Sequence, residues 1–155
     1  MNTVPSPLDS IALLYNPDKS IRHQAARTLA GYGTDILPLI LPLLDNDSWL
    51  IRYRACEILG LLKDPVCSPH LLSKLHDPRD HVRYMAVKGL GLLGDPAAVS
   101  AVIPMLSDEN PFVRRITVQT LSTFGGDEAH RAITTWAEQE TDPAVRKACK
   151  NILTA

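Results

Sequence analysis

A pair formed by an aliphatic residue and an arginine recurs along the whole chain at a nearly constant interval. The five copies are Ile21-Arg22, Ile51-Arg52, Val82-Arg83, Val113-Arg114 and Val145-Arg146, so successive copies lie 30, 31, 31 and 32 residues apart. If the aliphatic residue is numbered 0, position +4 is Ala, Thr or Cys and position +8 is leucine in every copy. Together with +11, these positions share one face of an α-helix. Such a period is typical of a repeat protein, in which each unit buries its apolar face against its neighbours.

Each of these helices is preceded by another apolar segment. The earlier segments are 8–15, 36–44, 66–75, 97–106 and 128–139. Aspartate followed by proline is typical of a helix start, and this pair occurs at Asp64-Pro65, Asp95-Pro96 and Asp142-Pro143. No segment alternates apolar and polar residues in the manner of a strand over a useful length. The sequence therefore predicts an all-α fold, an α-solenoid of about five antiparallel helix-pair repeats of 30–32 residues. Residues 8–155 would form one domain and residues 1–7 a flexible N-terminal arm.

The copy that spans 77–96 carries a characteristic series of short motifs. They are Asp77-Pro78, Val82-Arg83, Ala86, Leu90-Gly91 and Gly94-Asp95. The series resembles HEAT repeats of the short type first associated with phycobilisome lyases, and the resemblance extends over residues 8–153. It implies an armadillo-like superhelix whose second helices line a concave surface. Pro42 and Pro104 also resemble the proline that kinks the first helix of such repeats, since proline removes a helical hydrogen bond.

Three glycines in the same copy have the spacing G-x-G-x-x-G, which cradles a pyrophosphate in dinucleotide-binding folds. In those folds the motif follows a strand and opens a helix, whereas Gly89, Gly91 and Gly94 close a predicted helix. Gly94 is predicted to cap that helix in a left-handed conformation. Gly89 has no counterpart in the other copies, and it either permits close helix packing or opens a small notch. We therefore expect no nucleotide site here.

The arginines at position +1 form a ladder along the repeats. In HEAT repeats the matching arginine and aspartate link neighbouring repeats, so the resemblance implies a structural role in preference to contact with a ligand. The residues assigned to the ladder are Arg22, Arg52, Arg83, Arg114 and Arg146, together with the turn residues Asp77 and Asp108. Partly buried charge-assisted hydrogen bonds are worth about 1.5–3 kcal/mol each, and exposed ones are worth much less.

Positions +2 and +6 lie opposite the core side of the second helices, and the resemblance places them on the concave surface. These positions hold His23, Arg27, Tyr53, Glu57, Tyr84, Lys88, Arg115, Gln119, Lys147 and Asn151. Four of the ten are basic and one is acidic, although the whole chain has a net charge of −1. Tyr53 and Tyr84, in adjacent copies, are of a residue type enriched in interface hot spots. These positions form either a solvated helix face or a groove for an acidic peptide or protein surface.

The segment 76–81 contains two histidines and two aspartates, which are potential metal ligands. Asp80 is predicted to cap a helix and Asp77 belongs to the ladder, so His76 and His81 remain, and nothing in the sequence fixes their geometry. HEAT-repeat enzymes that hold two irons use His-Glu pairs, and this dipeptide is missing from the sequence. No nucleophile is accompanied by a base at a spacing typical of a catalytic pair. We therefore predict no metal, no cofactor and no catalytic residue.

Composition excludes some classes of partner. The 16 basic and 17 acidic residues nearly cancel, so the total charge does not favour nucleic acid or an anionic membrane. The longest apolar run, 36–44, is much shorter than the roughly 20 residues needed to cross a bilayer. The three cysteines, Cys56, Cys67 and Cys149, are odd in number and follow no secretory signal, which favours reduced thiols and a cytoplasmic location.

The predicted function is a non-enzymatic scaffold that binds another protein on the concave surface. Two alternatives stay open. A bilin-handling protein of the phycobilin lyase type would set Tyr53, Tyr84, Arg115 and His23 beside a tetrapyrrole, although such enzymes are usually longer or work as paired subunits. A nucleic-acid-binding HEAT protein would need a strongly basic groove with tryptophan at its centre, and neither tryptophan is clearly placed for this.

Overall fold

The computed structural model describes residues 4–155, and these residues form α-helices and 3₁₀-helices without any strand. The α-helices are α1 (Pro7–Leu13), α2 (Lys19–Ala30), α3 (Leu37–Ile40), α4 (Trp49–Leu62), α5 (Ser68–Leu72), α6 (Asp80–Leu93), α7 (Val99–Val102), α8 (Pro111–Phe124), α9 (Gly126–Ala137) and α10 (Pro143–Leu153). The even-numbered helices α2, α4, α6, α8 and α10 are the second helices of the five repeats, and each packs against the next. The predicted all-α repeat solenoid is therefore confirmed.

The first segments of the three middle repeats are broken into short pieces. The 3₁₀-helices Gly33–Ile36 and Leu41–Asp45 flank α3, Pro65–Cys67 precedes α5, and Pro96–Ala98 and Ile103–Ser107 flank α7. Proline stands in the first turn of most of these pieces, for example Pro42 and Pro104. Because proline has no amide hydrogen, it cannot continue the α-helical hydrogen bonds, and the chain tightens into 3₁₀ turns. The first helix of each of these pairs is thus shorter than its apolar segment predicts.

The predicted N-terminal arm lies partly outside the described residues, which exclude residues 1–3. At its other end, Pro7 is already the first residue of α1, and Ser6 caps that helix. The Ser6 hydroxyl accepts a hydrogen bond from the Asp9 amide, and the Asp9 carboxylate accepts one from the Ser6 amide. The Tyr32 hydroxyl donates to the Pro5 carbonyl over 2.6 Å. Residues 5–7 therefore contact the first repeat.

Helix starts and stops follow the predicted signals with one exception. Asp64, Asp95 and Asp142 cap the elements that follow them, as predicted, each accepting from an amide two residues further on. Gly94 ends α6 with φ of +66°, as predicted for a left-handed cap. Asp80 is not the N-cap of α6, because the helix already includes it and its carboxylate instead accepts from the amide of the next residue.

Gly89 permits close packing of two second helices. A methyl group at Gly60 of α4 would come within 2.7 Å of the Gly89 Cα in α6, and one at Gly89 would come within 3.0 Å of Leu71. The backbones of α4 and α6 therefore touch, and of the two interpretations of Gly89 the close-packing one is correct. The buried side chains of the first segments and of the second helices form a single hydrophobic core.

Candidate functional site

Two of the predicted ladder arginines form paired hydrogen bonds with the two predicted aspartates of the next repeat. Arg52 Nε donates to Asp77 Oδ2 over 2.8 Å, and a terminal nitrogen of Arg52 donates to Asp77 Oδ1 over 3.0 Å. Arg83 bonds Asp108 in the same way, over 2.7 and 3.0 Å. Both carboxylates are almost completely buried. These arginines are therefore held between repeats rather than offered to a ligand.

Arg114 makes the corresponding pair with Glu140, over 2.8 and 2.9 Å, although sequence reasoning did not assign Glu140 to the ladder. The signal was present, because each of these acids lies six residues before the next ladder arginine. Burial by itself would raise the pKa of Glu140, but hydrogen bonds from Arg114, the Asp142 amide and Trp136 outweigh it and lower this pKa to about 2.

The two end arginines of the ladder have no such carboxylate among the described residues. Arg22 donates to the carbonyls of Asn16 and Pro17, both over 2.7 Å, while its buried Nε has no partner in the described part of the chain. Asn46 stands where the later repeats have a carboxylate. Arg146, in the last repeat, is exposed.

Three adjoining cavities run across the second helices on the side of positions +2 and +6, and together they are called the groove. The aromatic pocket, of about 310 Å³, is lined by Tyr53, Asp80, His81, Tyr84, Asn110, Phe112 and Val113. The linking cavity, of about 100 Å³, is lined by Pro111, Phe112, Arg115, Asp142, Ala144 and Val145. The basic cleft, of about 490 Å³, is lined by Arg115, Gln119, Ala144, Lys147, Ala148, Asn151 and Ile152. Because neighbouring cavities share Phe112, Arg115 and Ala144, they form one continuous surface from α4 to α10.

The aromatic pocket brings together both predicted tyrosines and one residue that sequence reasoning missed. Tyr53 and Tyr84 are half-buried, and burial raises the pKa of the Tyr53 hydroxyl. Phe112 is 68% exposed at the junction of the pocket and the linking cavity. It occupies position −1, three residues before +2, and residues three apart share a helix face. Periodicity could therefore have included position −1 in the candidate surface.

The polar wall of the aromatic pocket is a connected set of side chains. Asn110 Nδ2 donates to Asp80 Oδ2 over 2.5 Å, and His81 Nδ1 lies 2.7 Å from Asp80 Oδ1. The hydrogen bond with His81 is the main cause that lowers the pKa of Asp80. The His81 ring packs on Trp49 with centroids 4.9 Å apart, and the Arg79 guanidinium lies 4.7 Å from the Trp49 ring centroid. Within residues 4–155, no group of three or more potential metal ligands comes together.

The basic cleft gathers four of the residues predicted for the concave surface. Arg115 and Gln119 come from α8, and Lys147 and Asn151 come from the facing side of α10. All four are exposed, and none of the described residues that line this cleft is acidic. The cleft therefore presents two positive charges and two amide side chains on an apolar floor.

One residue predicted for the concave surface, Glu57 in the second repeat, is buried instead of exposed. Glu57 is only 7% exposed, because its carboxylate turns inward to the guanidinium of Arg54, which is itself 3% exposed. His23 Nδ1 lies 2.7 Å from the other oxygen of that carboxylate. Glu57 is thus not free to contact a partner, and this part of the prediction is corrected. Arg27 and Lys88 are exposed, as predicted for surface positions.

The three cysteines are buried and unpaired in the structure. Burial raises the pKa of Cys56 to about 12 and that of Cys67 to about 11. Both side chains are therefore protonated thiols near neutral pH, and thiolates rather than thiols are the reactive form. Among the described residues, no helix has the length and apolar character needed to span a membrane.

Comparison with solved structures identifies proteins of the same fold. A chain from the complex of CpcE and CpcF of phycocyanin lyase from Nostoc sp. PCC7120 superposes with a TM-score of 0.85 at 18% identity, over 97% of this chain and 99% of that one. A designed armadillo repeat protein in complex with the peptide (KR)4 gives 0.60 at 15% identity, over 94% and 80%. Human deoxyhypusine hydroxylase in complex with glycerol gives 0.54 at 19% identity, over 94% and 72%. At these identities the likeness concerns the fold alone.

Sequence comparison gives the family. No curated protein matches the chain in sequence. The family model for HEAT repeats matches residues 10–73 and again residues 68–153, which together cover most of the chain. The repeated aliphatic-arginine pairs, the stacked second helices and the arginine ladder all agree with this match. The chain belongs to the HEAT-repeat family.

Proposed function

We propose that this protein is a non-enzymatic scaffold that binds a segment of another protein along the groove. The observation that carries the proposal is the continuity of the groove, which runs across four repeats with exposed aromatic and basic side chains. Aromatic residues and arginine are the types that most often dominate binding at interfaces. A repeat solenoid supports such a role because its stacked repeats present an extended surface.

The charge of the groove face supports an acidic partner. At positions +2 and +6, Arg27, Lys88, Arg115 and Lys147 are exposed and form no ion pair within the part of the chain that the structure describes. The single acidic residue of these positions, Glu57, is neutralised by its bond to Arg54. The face is thus more basic than its composition suggests, while the whole chain has a net charge of −1. Complementary charge raises the association rate and the specificity of such an encounter.

The proposal is tested by quantitative capture from a native cell extract. The wild type is compared with the triple variant Tyr53→Ala, Tyr84→Ala, Arg115→Ala and with a matched control on the opposite side, Leu39→Ala, Thr135→Ala, Arg131→Ala. Circular dichroism checks that all three fold. A discrete protein retained by the wild type and the control, but lost from the triple variant and at high salt, is the expected result. Equal retention by the triple variant would refute the groove as the binding surface.

A bilin-handling function is the second candidate, because the chain taken from the CpcE–CpcF complex is matched over 99% of its length. Tyr84 and Arg115 would then face the rings and propionates of a linear tetrapyrrole. Titration with a bilin distinguishes the two functions. A saturable red shift of its absorbance that requires Arg115 would favour this candidate over protein binding.

The nucleic-acid alternative has less support. Three of the ladder arginines are paired with buried carboxylates, so they are withdrawn from any contact with phosphate. Trp49 packs against His81 and Arg79, and Trp136 donates to Glu140. Neither tryptophan is among the described residues that line the groove, where bases would have to stack.

A further inference from the structure

The two ends of the groove offer different chemistry, and we propose that they recognise one short motif. In this motif a large apolar side chain enters the aromatic pocket, and an acidic residue about three positions away contacts the basic cleft. The inference rests on the proposed function, because it specifies the segment that the groove binds. The order of the two residues along the segment is left to the experiment.

The aromatic pocket suits one large apolar side chain. Its volume of about 310 Å³ is at the lower end of the range of ligand pockets. Tyr53, Tyr84 and Phe112 supply ring faces and edges, and aromatic rings pack favourably against other rings at short centroid distances. Phe112 is 68% exposed, so a side chain seated beside it would remove apolar surface from water on both partners.

The basic cleft suits a carboxylate. Arg115 and Lys147 project from facing helices and form no ion pair within residues 4–155. The nearest acid of the groove, Asp142, is engaged as the N-cap of α10, where it accepts from the amides of Ala144 and Val145. A carboxylate placed between the two cations would therefore meet complementary charge without a competing internal partner.

The distance between the two sites sets the spacing of the motif. The aromatic pocket is lined mainly by α6 and the start of α8, with Tyr53 added from α4, and the basic cleft lies between α8 and α10. Packed helices are about 8–10 Å apart, so the centres of the two sites are separated by about one such step. An extended chain advances roughly 3.3 Å per residue, and about three residues cover that distance.

The aromatic pocket does not suit a cationic or polyanionic ligand. Asp80 is already bonded to His81 and Asn110, so its charge is not free for a cation. A nucleic-acid strand would carry phosphates past the Asp80 carboxylate. A peptide bears charge at selected positions only, and it avoids both conflicts.

Selection from a displayed library of random dodecapeptides tests the motif with purified protein. The expected result is enrichment of sequences that carry Trp, Phe, Leu or Met about three positions from Asp or Glu. Arg115→Glu is expected to replace the preference for acidic residues by one for Lys or Arg while the apolar preference persists. Arg131→Glu, an exposed site on α9, is the matched control and should select the same motif as the wild type.

Affinity measurements complete the test. Fluorescence anisotropy with the most enriched peptide should show binding weakened by about tenfold or more in Phe112→Ala, as for a hot-spot residue. Leu39→Ala, which also shortens an exposed apolar side chain, should leave binding unchanged. Enrichment of basic peptides, absence of the spacing preference, no enrichment, or displacement of the peptide by oligothymidine at similar concentration would each overturn the motif. The extract capture with the triple variant reports separately on the groove, so failure of the motif leaves that result standing.

Discussion

Replacement of Asn46 by aspartate is expected to stabilise the protein, because it would give Arg22 a carboxylate partner like those of the ladder arginines in the three middle repeats. Arg22 Nε is buried and has no partner among the described residues. Asn46 already uses Oδ1 to accept from the Ser48 amide over 2.9 Å, and its Nδ2 donates to the Tyr15 hydroxyl over 3.0 Å. An amide nitrogen cannot accept a hydrogen bond from an arginine. At the equivalent place, both carboxylate oxygens of Asp77 accept from an arginine.

The expected gain follows from these contacts. A new charge-assisted pair in a partly buried site is worth about 1.5–3 kcal/mol. Because the site around Arg22 and residue 46 is partly exposed, the expected gain is roughly 1–2 kcal/mol. The Tyr15 hydroxyl can donate to the new carboxylate, so that contact is reversed rather than lost. For a chain of this size, such a gain corresponds to a rise in melting temperature of about 2–8 °C.

A double-mutant cycle measures the coupling. The free energy of unfolding is determined by urea and thermal denaturation for the wild type, Asn46→Asp, Arg22→Gln and the double variant. Asn46→Asp should stabilise the wild type and have little effect when Arg22 is absent. The gain should also vanish as the pH falls below the usual pKa range of aspartate, since a carboxylate held ionised in the fold loses its contribution when protonated. Equal stabilisation in the Arg22→Gln background, or none in the wild type, would refute the reasoning.

Four further substitutions test the packing of the repeats. Arg83→Met should cost about 3 kcal/mol in urea denaturation because it leaves a buried carboxylate unpaired, whereas Arg146→Met, at an exposed site, should change the free energy of unfolding by less than about 0.5 kcal/mol. Because the pKa of Glu140 is lowered from 4.5 to about 2, its contribution is present above pH 4.5 and lost towards pH 2. Glu140→Gln should therefore flatten the dependence of unfolding free energy on pH in that window, and an unchanged slope would contradict the assignment. Gly60→Ala should destabilise by roughly 1–3 kcal/mol, since its methyl group would meet the Gly89 backbone at 2.7 Å, and a neutral effect would show that α4 and α6 separate freely.

The fold was predictable from the sequence because each repeat must bury the same helix face. Position +8 is leucine in every copy, and a recurring apolar column of this kind leaves few alternatives to stacked helices. The broken first helices were less predictable. Pro42 and Pro104 indicated a kink, but the division into 3₁₀ and α pieces depends on how tightly each turn packs on the second helices.

The helix face that carries the groove was predictable from the sequence, but the full set of residues that line the groove was not. Helical periodicity predicted a shared face for positions +2 and +6, and in the structure Tyr84 lines the pocket and Arg115 lines the cleft, because residues on one helix face stay together. It could not predict that Glu57 turns inward, since this depends on Arg54 being buried at the neighbouring position and requiring a counter-charge. Phe112 was missed because the candidate surface was restricted to positions +2 and +6, whereas Phe112 occupies position −1.

The contrast between the two helical layers has a mechanical consequence. Three of the four helices that carry the groove, α4, α6 and α8, are each 14 residues long and uninterrupted, while the segments behind these three are short pieces joined at prolines. Short 3₁₀ pieces hold fewer and poorer backbone hydrogen bonds than a continuous α-helix. Bending and twisting of the stack should therefore be absorbed in the outer layer. The pitch of the superhelix can then adjust to a bound segment while the individual contacts within each repeat keep their geometry.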